Sequence, residues 1–365
     1  MILHLYLARR FLRAFLALML GLGILIVLIE MIEQVRRLND TSARFGQVVE
    51  VALLHSPETL YEIVPLVTVL ATVAMLIGLA RSSELIVSRA AGRSALVSLM
   101  SPVLVAFVLG CLALAIMNPF VAATTKRYSA LSDRYLIGST SVLSISEDGL
   151  WLRQGGADGQ TVIRAERANA EGTLLLNATF FAFTPEGGLI RRIEAQRAAL
   201  VPGAWQLSGV KSWPLGADLN PEAQAVTLAR LQIPSPLTID RIRDSFGRPA
   251  AVAIWDLPAY AKALTQAGFS ARRHLVWLQT ELARPLFLMA MVMIAAAFTM
   301  RHARLGRVGL AVATSVLMGF SFYYIKNFAQ ILGENAQIPI LAAAWAPPVA
   351  AVLLGIGLVL QMEDG

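Results

Sequence analysis

Residues 63–80 read IVPLVTVLATVAMLIGLA and contain no charged side chain. A helix needs roughly 20 mostly apolar residues to cross the ~30 Å hydrocarbon core of a bilayer, because its backbone polar groups must be satisfied within the helix. Five more stretches of this kind lie at 11–32, 95–120, 284–300, 308–325 and 341–361. The sequence therefore predicts an α-helical membrane protein with six transmembrane helices.

The composition agrees with this prediction. Of the 365 residues, 56% are hydrophobic and only 15% are charged, whereas a soluble domain carries roughly 25% charged residues. Much of the positive excess behind the net charge of +7 lies in short segments beside the apolar stretches, where membrane topology accounts for it. We therefore expect contact with a membrane and none with nucleic acid.

Arginines also predict the orientation, because cytoplasmic loops carry an excess of Lys and Arg. Three basic groups lie before the first span, between the second and third, and between the fourth and fifth: Arg9, Arg10 and Arg13; Arg81, Arg89 and Arg93; Arg301, Arg304 and Arg307. The loop expected at 39–62 is instead acidic. Both termini are therefore predicted to be cytoplasmic, and the segment between spans three and four is predicted to lie in a bacterial periplasm.

That middle segment changes to short alternating runs, which are typical of strands. Runs at 141–146, 150–153, 161–165, 174–183, 189–195 and 205–213 are separated by turns rich in Gly, Pro and Asp. Even spacing of short strands favours a sandwich, jelly roll or partly open barrel, and a helix-like return segment follows from 234 to 273. The predicted organisation is helices in 1–120, a jelly-roll-like all-β domain in 121–273, and helices in 274–365.

Motifs of enzymatic chemistry are absent. The sequence has no phosphate-binding loop and no metalloprotease or serine-hydrolase motif. A single cysteine, Cys111, excludes an internal disulfide, and the four histidines lack metal-ligand spacing. Four of the six spans have no ionisable residue in their interior, although ion-driven transporters keep such residues for function. We expect no catalytic residue, metal or cofactor, and energy for any transport must come from a partner.

The cytoplasmic segment 81–93, between the second and third spans, predicts a short amphipathic helix near 82–93. A serine caps its start, Glu84 lies in its first turn and Gly92 at its end. The segment is either a coupling helix that docks into a partner ATPase or an ordinary interfacial loop. The candidate coupling residues are Arg81, Glu84, Leu85, Ile86 and Arg89.

Three basic residues are candidates for lipid binding. Arg36 and Arg37 lie at the outer end of the first span, where guanidinium groups could bind phosphate in a bidentate manner; alternatively they pair with Glu33 one turn earlier. Lys326 follows an aromatic run at 320–324. It is either a lipid-headgroup contact or a snorkelling lysine in an interfacial aromatic belt.

Several motifs resemble those of the permease subunits of the lipopolysaccharide exporter, the LptF/LptG family. They are the spacing from Arg36-Arg37 to Pro57 and Pro65, ARSSELIVSRAAG at 80–92, GLWLR at 149–153 and LAAAWAP at 341–347. The resemblance covers essentially the whole chain and is closer to LptG than to LptF. Glu30 departs from it, because it stands where the LptG pattern has a basic residue.

The resemblance implies a six-helix permease with a periplasmic β-jelly-roll domain and no ATPase site of its own. Such a permease pairs with an LptF-type permease, is driven by an LptB-type ATPase dimer, and works with LptC-type and LptA-type jelly-roll proteins. It extracts lipopolysaccharide from the outer leaflet of the inner membrane and passes it to a β-jelly-roll bridge. Glu84 and its neighbours would then contact the ATPase, and Arg36 and Arg37 the acidic part of the lipid.

Three other functions are compatible with the sequence. A lipid-modifying membrane enzyme would need polar groups at the outer interface, and His55, Glu58 and Glu62 form the only nearby set. A lipid or lipoprotein extractor of another type would have four spans per subunit. A scaffold without a transport role would tolerate charge reversal at Glu84.

Overall fold

The structure is a computed structural model, and it describes residues 2–38, 45–84, 94–136, 143–146, 149–156, 159–169, 173–184, 187–215, 220–235, 237–238, 248–266, 270–303 and 308–364. The chain forms two compact units. One comprises Met1–Ser129, Ala250–Leu257 and Arg272–Gly365, and the other comprises Ala130–Pro249 and Pro258–Ala271. The first unit is helical and the second contains a β-sheet.

The helices are α1 (Ile2–Leu38), α2 (Phe45–Arg81), α3 (Ala95–Leu112), α4 (Asn118–Leu136), α5 (Leu257–Gln266), α6 (Arg272–Leu282), α7 (Arg284–Ala303), α8 (Val308–Glu334) and α9 (Ile340–Asp364). A π-helical turn, Ala113–Met117, joins α3 to α4, and a 3-10 turn, Pro249–Ala251, precedes α5.

Five of these segments are each long and apolar enough to cross a bilayer: α1, α2, α3 continued into α4, α8 and α9. Helices α6 and α7 meet the same test together, with a bend of 50° between them. The predicted six spans therefore require this bent pair to count as one crossing. Pro285 lies just after the bend and has no N–H to donate to the preceding turn, which accounts for the break.

The loop predicted at 39–62 was wrong over most of its length, because α2 already begins at Phe45. Val48, Val51 and Ala52 are buried at helical spacing, so this stretch is an amphipathic extension of the apolar span. The prediction relied on mean hydropathy, which falls where a helix carries a polar face. Residues 39–44 lie outside the described part.

Helix α7 is the centre of the helical unit. It packs against α2, α3, α8 and α9, and Leu288, Met291 and Ile294 have no accessible surface. A helix that is apolar on all sides is expected to be surrounded in this way. Small residues allow neighbouring backbones to approach: Gly110 of α3 lies against Pro285, and Gly355 of α9 lies against Met293.

The sheet has seven antiparallel strands in sequential order: β1 (Leu143–Ser146), β2 (Gly149–Gly156), β3 (Gly159–Ala168), β4 (Leu174–Phe183), β5 (Leu189–Val201), β6 (Ala204–Pro214) and β7 (Val226–Pro234). Strand β7 was not predicted. Its apolar residues are at most half-buried and do not alternate regularly, so the sequence carries no clear period of two.

A crease runs across five strands of this sheet, through Glu166, Asn177, Gln196, Gly209 and Ala229. The pairing is interrupted at each of these positions while the register on both sides stays the same. On β3, β4, β5 and β6, buried residues are spaced by three rather than two across the crease, as in Ala195 and Ala198 of β5. Asn177 and Gly209 adopt positive φ angles of 50° and 62°. These conformations rotate the chain, so that the alternation of buried and exposed side chains shifts by one residue at the crease.

The sheet also curls. Gln154 of β2 is buried and accepts a hydrogen bond of 2.7 Å from Ser235 Oγ, which follows β7 directly. Strands β2 and β7 are separated by four strands in the sheet order, so the curl brings distant strands together at this point. A rolled antiparallel sheet is thus present in the second unit, and the finer assignment to a jelly roll stays a prediction.

Candidate functional site

Two of the five predicted coupling residues, Arg81 and Glu84, lie in the described part of the chain. Arg81 is the exposed last residue of α2, and Glu84 follows after a turn at Ser82 and Ser83. Leu85, Ile86 and Arg89 lie outside the described residues, as does the predicted helix beyond position 84. The structure therefore gives the environment of the carboxylate but not the face that these three residues would share.

Glu84 is held by the beginning of α1. Arg10 Nη1 donates to both carboxylate oxygens, at 3.1 Å to Oε1 and 3.0 Å to Oε2, and Tyr6 OH donates to Oε2 at 2.8 Å. Hydrogen bonds from Ser82, Tyr6 and Arg10 lower the pKa of Glu84 below its ordinary value, so the group is a carboxylate at neutral pH. Its side chain remains 39% exposed. Sequence reasoning missed this contact, because it joins residues 74 positions apart.

The two arginines at the other end of α1 are both exposed. Arg37 Nε donates to Glu33 Oε1 at 2.9 Å, four residues earlier on the helix. This is the self-pairing alternative for Arg37, realised in an exposed position where such pairs contribute little to stability. Among the described residues, Arg36 makes no ion pair.

Lys326 lies apart from these arginines. Its amine donates to Asn327 Oδ1 at 3.3 Å and lies 5.9 Å from the centre of the Tyr323 ring. The side chain also lines a small cavity with room for about one water molecule, together with Pro65, Thr280, Arg284, Phe287, Ala344 and Pro348. The three predicted lipid-binding residues therefore do not form one cluster: two lie on α1, and the third faces residues of α2, α6, α7 and α9.

A buried ion pair stands beside this cavity at the bend between α6 and α7. Arg284 donates to both carboxylate oxygens of Glu281, at 2.9 Å from Nε and 2.6 Å from Nη2. Arg284 also lies over the ring of Tyr61, whose hydroxyl donates to the same carboxylate. The remaining donor, Nη1, binds the carbonyl oxygen of Tyr61 at 3.0 Å.

The Tyr61 carbonyl is available because of Pro65. Proline has no N–H, so the carbonyl four residues earlier loses its helical partner. Arg284 replaces that partner, and the proline is accommodated inside a buried helix of the bilayer-spanning type. The sequence placed Arg284 only at the edge of the fourth span; the i, i+3 spacing of Glu281 and Arg284 was the readable signal for the pair.

A second buried polar cluster connects α1, α2 and α4. His55 Nδ1 lies 2.9 Å from Glu30 Oε2, and its ring lies against that of Tyr128, with centroids 4.5 Å apart and an interplanar angle of 31°. Thr125 donates to Glu58 Oε2 at 3.1 Å. Glu30, which departs from the LptG pattern, thus has a partner on the neighbouring helix.

This second cluster contains two of the three residues considered for a lipid-modifying enzyme, His55 and Glu58. Their contacts join neighbouring helices, which is a structural role. No group of three or more His, Cys, Asp or Glu side chains within the described residues is arranged to hold a metal ion.

Comparison with known proteins gives a consistent result. The sequence profile of the family described as "Lipopolysaccharide export system permease LptF/LptG" matches residues 5–361. The lipopolysaccharide export system permease protein LptG of Escherichia coli (strain K12) is 25% identical over 317 residues, which cover 85% of this chain and 84% of that protein. The protein of the same name from Haemophilus influenzae (strain Rd) is 23% identical over 366 aligned positions, covering 96% and 95% of the two chains. Since the profile spans nearly every residue of both structural units, the chain belongs to the LptF/LptG family of lipopolysaccharide export permeases.

Proposed function

We propose that this chain is the LptG-type permease subunit of an ATP-driven lipopolysaccharide exporter. The observation that carries the proposal is the environment of Glu84. This carboxylate lies at the end of α2, in the segment that resembles the family's coupling loop, and it is ionised, oriented by α1 and partly exposed. Such a group is suited to accept hydrogen bonds from a basic residue of a partner ATPase.

In this proposal the chain has no ATPase site, and an LptB-type dimer hydrolyses ATP below the membrane. An LptF-type permease completes the membrane cavity, and LptC-type and LptA-type proteins receive the lipid from the outer leaflet. The helical unit would lie in the inner membrane with both termini cytoplasmic. The rolled sheet would lie in the periplasm, as part of the jelly-roll bridge.

The surface of α1 fits this role. Leu16, Leu20, Ile24 and Leu28 recur at helical spacing and are between 52% and 70% exposed. A continuous apolar face of this kind suits acyl chains or a neighbouring subunit, each buried methylene contributing ~0.8 kcal/mol. Arg36 lies farther along the same helix, within reach of an anionic headgroup at the membrane surface.

The first test is co-purification of the tagged full chain from its native host in mild detergent. We expect a soluble ABC-type ATPase, a second permease and bound lipopolysaccharide to accompany it. Recovery of the chain alone, with well-preserved fold and no ATPase, would contradict the proposal.

The second test is Glu84→Arg in the assembled exporter. The variant should insert into the membrane at the wild-type level but lose ATPase binding or coupling, because two like charges would then face each other at the contact. The matched control is Glu50→Arg, which alters an exposed carboxylate paired with Arg127 and should leave coupling intact. Wild-type ATPase stimulation in Glu84→Arg would remove the coupling assignment.

A further inference from the structure

The contact between α1 and Glu84 is more organised than an incidental surface ion pair. Arg10 reaches both oxygens of the carboxylate, Tyr6 donates to one of them, and Arg10 also donates to the Tyr6 hydroxyl. The guanidinium lies 5.7 Å from the centre of the Tyr6 ring. Arg10 and Tyr6, which lie one helical turn apart on α1, therefore both donate hydrogen bonds to one carboxylate beyond the end of α2.

The Arg10 guanidinium lies against α2 at Gly78, where there is no side chain. A Cβ atom at Gly78 would lie 2.9 Å from Arg10 Nη2, so any side chain at this position would push the guanidinium away. Gly78 is one helical turn before Ser82, whose hydroxyl binds the Gly78 carbonyl at 3.0 Å. The absence of a side chain at Gly78 lets α1 approach the last turn of α2 at the point where the chain leaves the helix.

The exit from α2 needs such an anchor. Ser83 has a φ of 59°, a left-handed conformation that costs a residue with a side chain roughly 1–2 kcal/mol. The turn at Ser83 aims Glu84 back towards α1, where the contacts with Arg10 and Tyr6 offset the strain. Without them, the chain would be free to leave α2 in another direction.

The contact leaves room for a further ligand. The Glu84 side chain is 39% exposed and that of Arg10 is 25% exposed. A donor from another protein can therefore reach Glu84 while the intramolecular contacts persist, so Arg10 presents the carboxylate rather than blocking it.

We infer that Arg10 and Tyr6 are positioning residues that hold Glu84 in the orientation required for docking of the partner ATPase. This inference rests on the proposed function of Glu84. It also makes α1 a direct link between the two predicted sites, because the same helix carries Arg36 about 39 Å farther along at 1.5 Å per residue.

The test is a titration of the purified ATPase onto proteoliposomes that contain the full permease pair, with ATP hydrolysis as the signal. Arg10→Ala should raise the half-saturating ATPase concentration on the order of tenfold, as expected for lost hydrogen bonds to a charged group, while the maximal rate per assembled complex stays near wild type. Arg10→Lys should recover part of the affinity, because it keeps the charge but replaces the planar guanidinium that lies beside the Tyr6 ring. A merely structural role for Arg10 would reduce the amount of active complex, and hence the maximal rate, without this shift.

Arg9→Ala is the matched control. It also removes one arginine charge, but from the exposed side chain of the preceding residue. Tyr6→Phe keeps the ring and removes only the hydroxyl donor, so it provides a second test if Arg10→Ala accumulates poorly, with a smaller shift in the same direction. Wild-type half-saturation in Arg10→Ala and Tyr6→Phe, with a large shift in Glu84→Gln, would overturn the inference and leave the proposed function standing. Wild-type behaviour of Glu84→Gln itself would overturn the coupling assignment and the inference with it.

Discussion

Among single residues, Arg284 has the largest expected effect on stability. Its five donors face a carboxylate, a backbone carbonyl and an aromatic ring, and its side chain is 6% exposed while that of Glu281 is 1% exposed. Removing two charges from water is costly, and only complete hydrogen bonding makes such a pair tolerable. The loss of one partner should therefore harm the protein more than the loss of both.

We predict that Arg284→Ala destabilises the helical unit by about 3–5 kcal/mol, because it leaves the Glu281 carboxylate buried without a counter-ion. The thermal unfolding midpoint of the full chain, purified in detergent, measures the effect. The double variant Glu281→Leu plus Arg284→Met should recover much of the loss, since it removes both charges.

The matched control is Arg127→Ala, which breaks an exposed pair with Glu50 whose side chains are 68% and 43% exposed. It should change the midpoint little. Equal unfolding midpoints for Arg284→Ala and Arg127→Ala would show that the buried pair contributes no more to stability than the exposed pair does.

The exposed arginines of α1 should act on lipid rather than on stability. We predict that Arg36→Glu plus Arg37→Glu reduces photocrosslinking of lipopolysaccharide to α1 severalfold, because carboxylates repel its phosphates. Assembly with the other subunits should be unchanged. Glu33→Gln, which releases Arg37 from its pair, is the control and should keep the crosslink. Unaltered crosslinking in the double variant would leave self-pairing with Glu33 as the role of Arg37.

At this scale, sequence reasoning found candidates but not their partners. The Arg37–Glu33 pair was one of two alternatives, because both residues lie on one helix four positions apart. Contacts such as Arg10–Glu84 and His55–Glu30 join separate helices, and no local pattern encodes them. Gly78 shows the same limit, since its significance appears only when α1 lies against it.

At the scale of elements, the crease explains why two strands were predicted too short. The predicted runs 161–165 and 189–195 both stop where the crease begins, whereas β3 and β5 continue to Ala168 and Val201. The alternation of buried and exposed residues breaks there, because buried positions are three apart across Glu166 and Gln196. In β3 and β5, the prediction based on a period of two therefore ended at the crease.

The crease makes Gly209 a sensitive position in the sheet. We predict that Gly209→Ala lowers the unfolding midpoint of the sheet unit more than Gly203→Ala does. Both glycines have positive φ angles, 62° and 80°, so both substitutions incur the left-handed cost of roughly 1–2 kcal/mol. Only Gly209→Ala adds a steric conflict, since its Cβ would lie 2.8 Å from the Gln196 side chain, whereas Gly203 has open space.

Protection against proteolysis of the sheet in the full-length protein, followed with temperature, provides the measurement. Adding Gln196→Ala to Gly209→Ala should restore the steric part of the loss but not the conformational part, bringing the double variant close to Gly203→Ala. If Gln196→Ala gives no recovery, then the steric conflict with Gln196 is not the cause.

At the scale of the whole molecule, the number of crossings decides where the C-terminus lies. If α6 and α7 together cross the membrane, α8 and α9 return the chain to the side on which it began. If they do not, the ends of α8 and α9 exchange sides. The two topologies therefore differ at every residue after Ala303 that lies outside the bilayer.

We predict that a membrane-impermeant maleimide labels Gln206→Cys and Gln337→Cys in intact cells whose outer membrane has been permeabilised, and that it labels Gly365→Cys only after lysis. Gln206 lies on the exposed side of β6, and Gln337 lies in the exposed turn between α8 and α9. The background variant is Cys111→Ser, because Cys111 is the only cysteine. Labelling of Gly365→Cys but not Gln337→Cys in intact cells would mean that the bent pair does not cross.

The large-scale organisation was the most predictable part, because bilayer thickness imposes long apolar runs that need no knowledge of tertiary contacts. Hydropathy located all six apolar segments within the helices described above, although it placed most of their ends too early. It could not show that α7 lies at the centre of the unit. Ala290, Ala295 and Ala296 are fully buried only because other helices surround them, and hydropathy does not identify those neighbours. Strand β7 was not predicted, because its pairing with β6 is a tertiary contact that its own sequence does not show.

The hydrogen bond between the Tyr61 carbonyl and Arg284 also has a consequence for biosynthesis. The two residues are 223 positions apart, so at ~5–20 residues per second the ribosome needs roughly 10 to 45 seconds to travel from one to the other. Once α2 has been made, the Tyr61 carbonyl stays without this partner until Arg284 is added. A nascent chain that stalls before codon 284 therefore keeps a carbonyl in its second helix without the partner that Arg284 supplies in the finished protein.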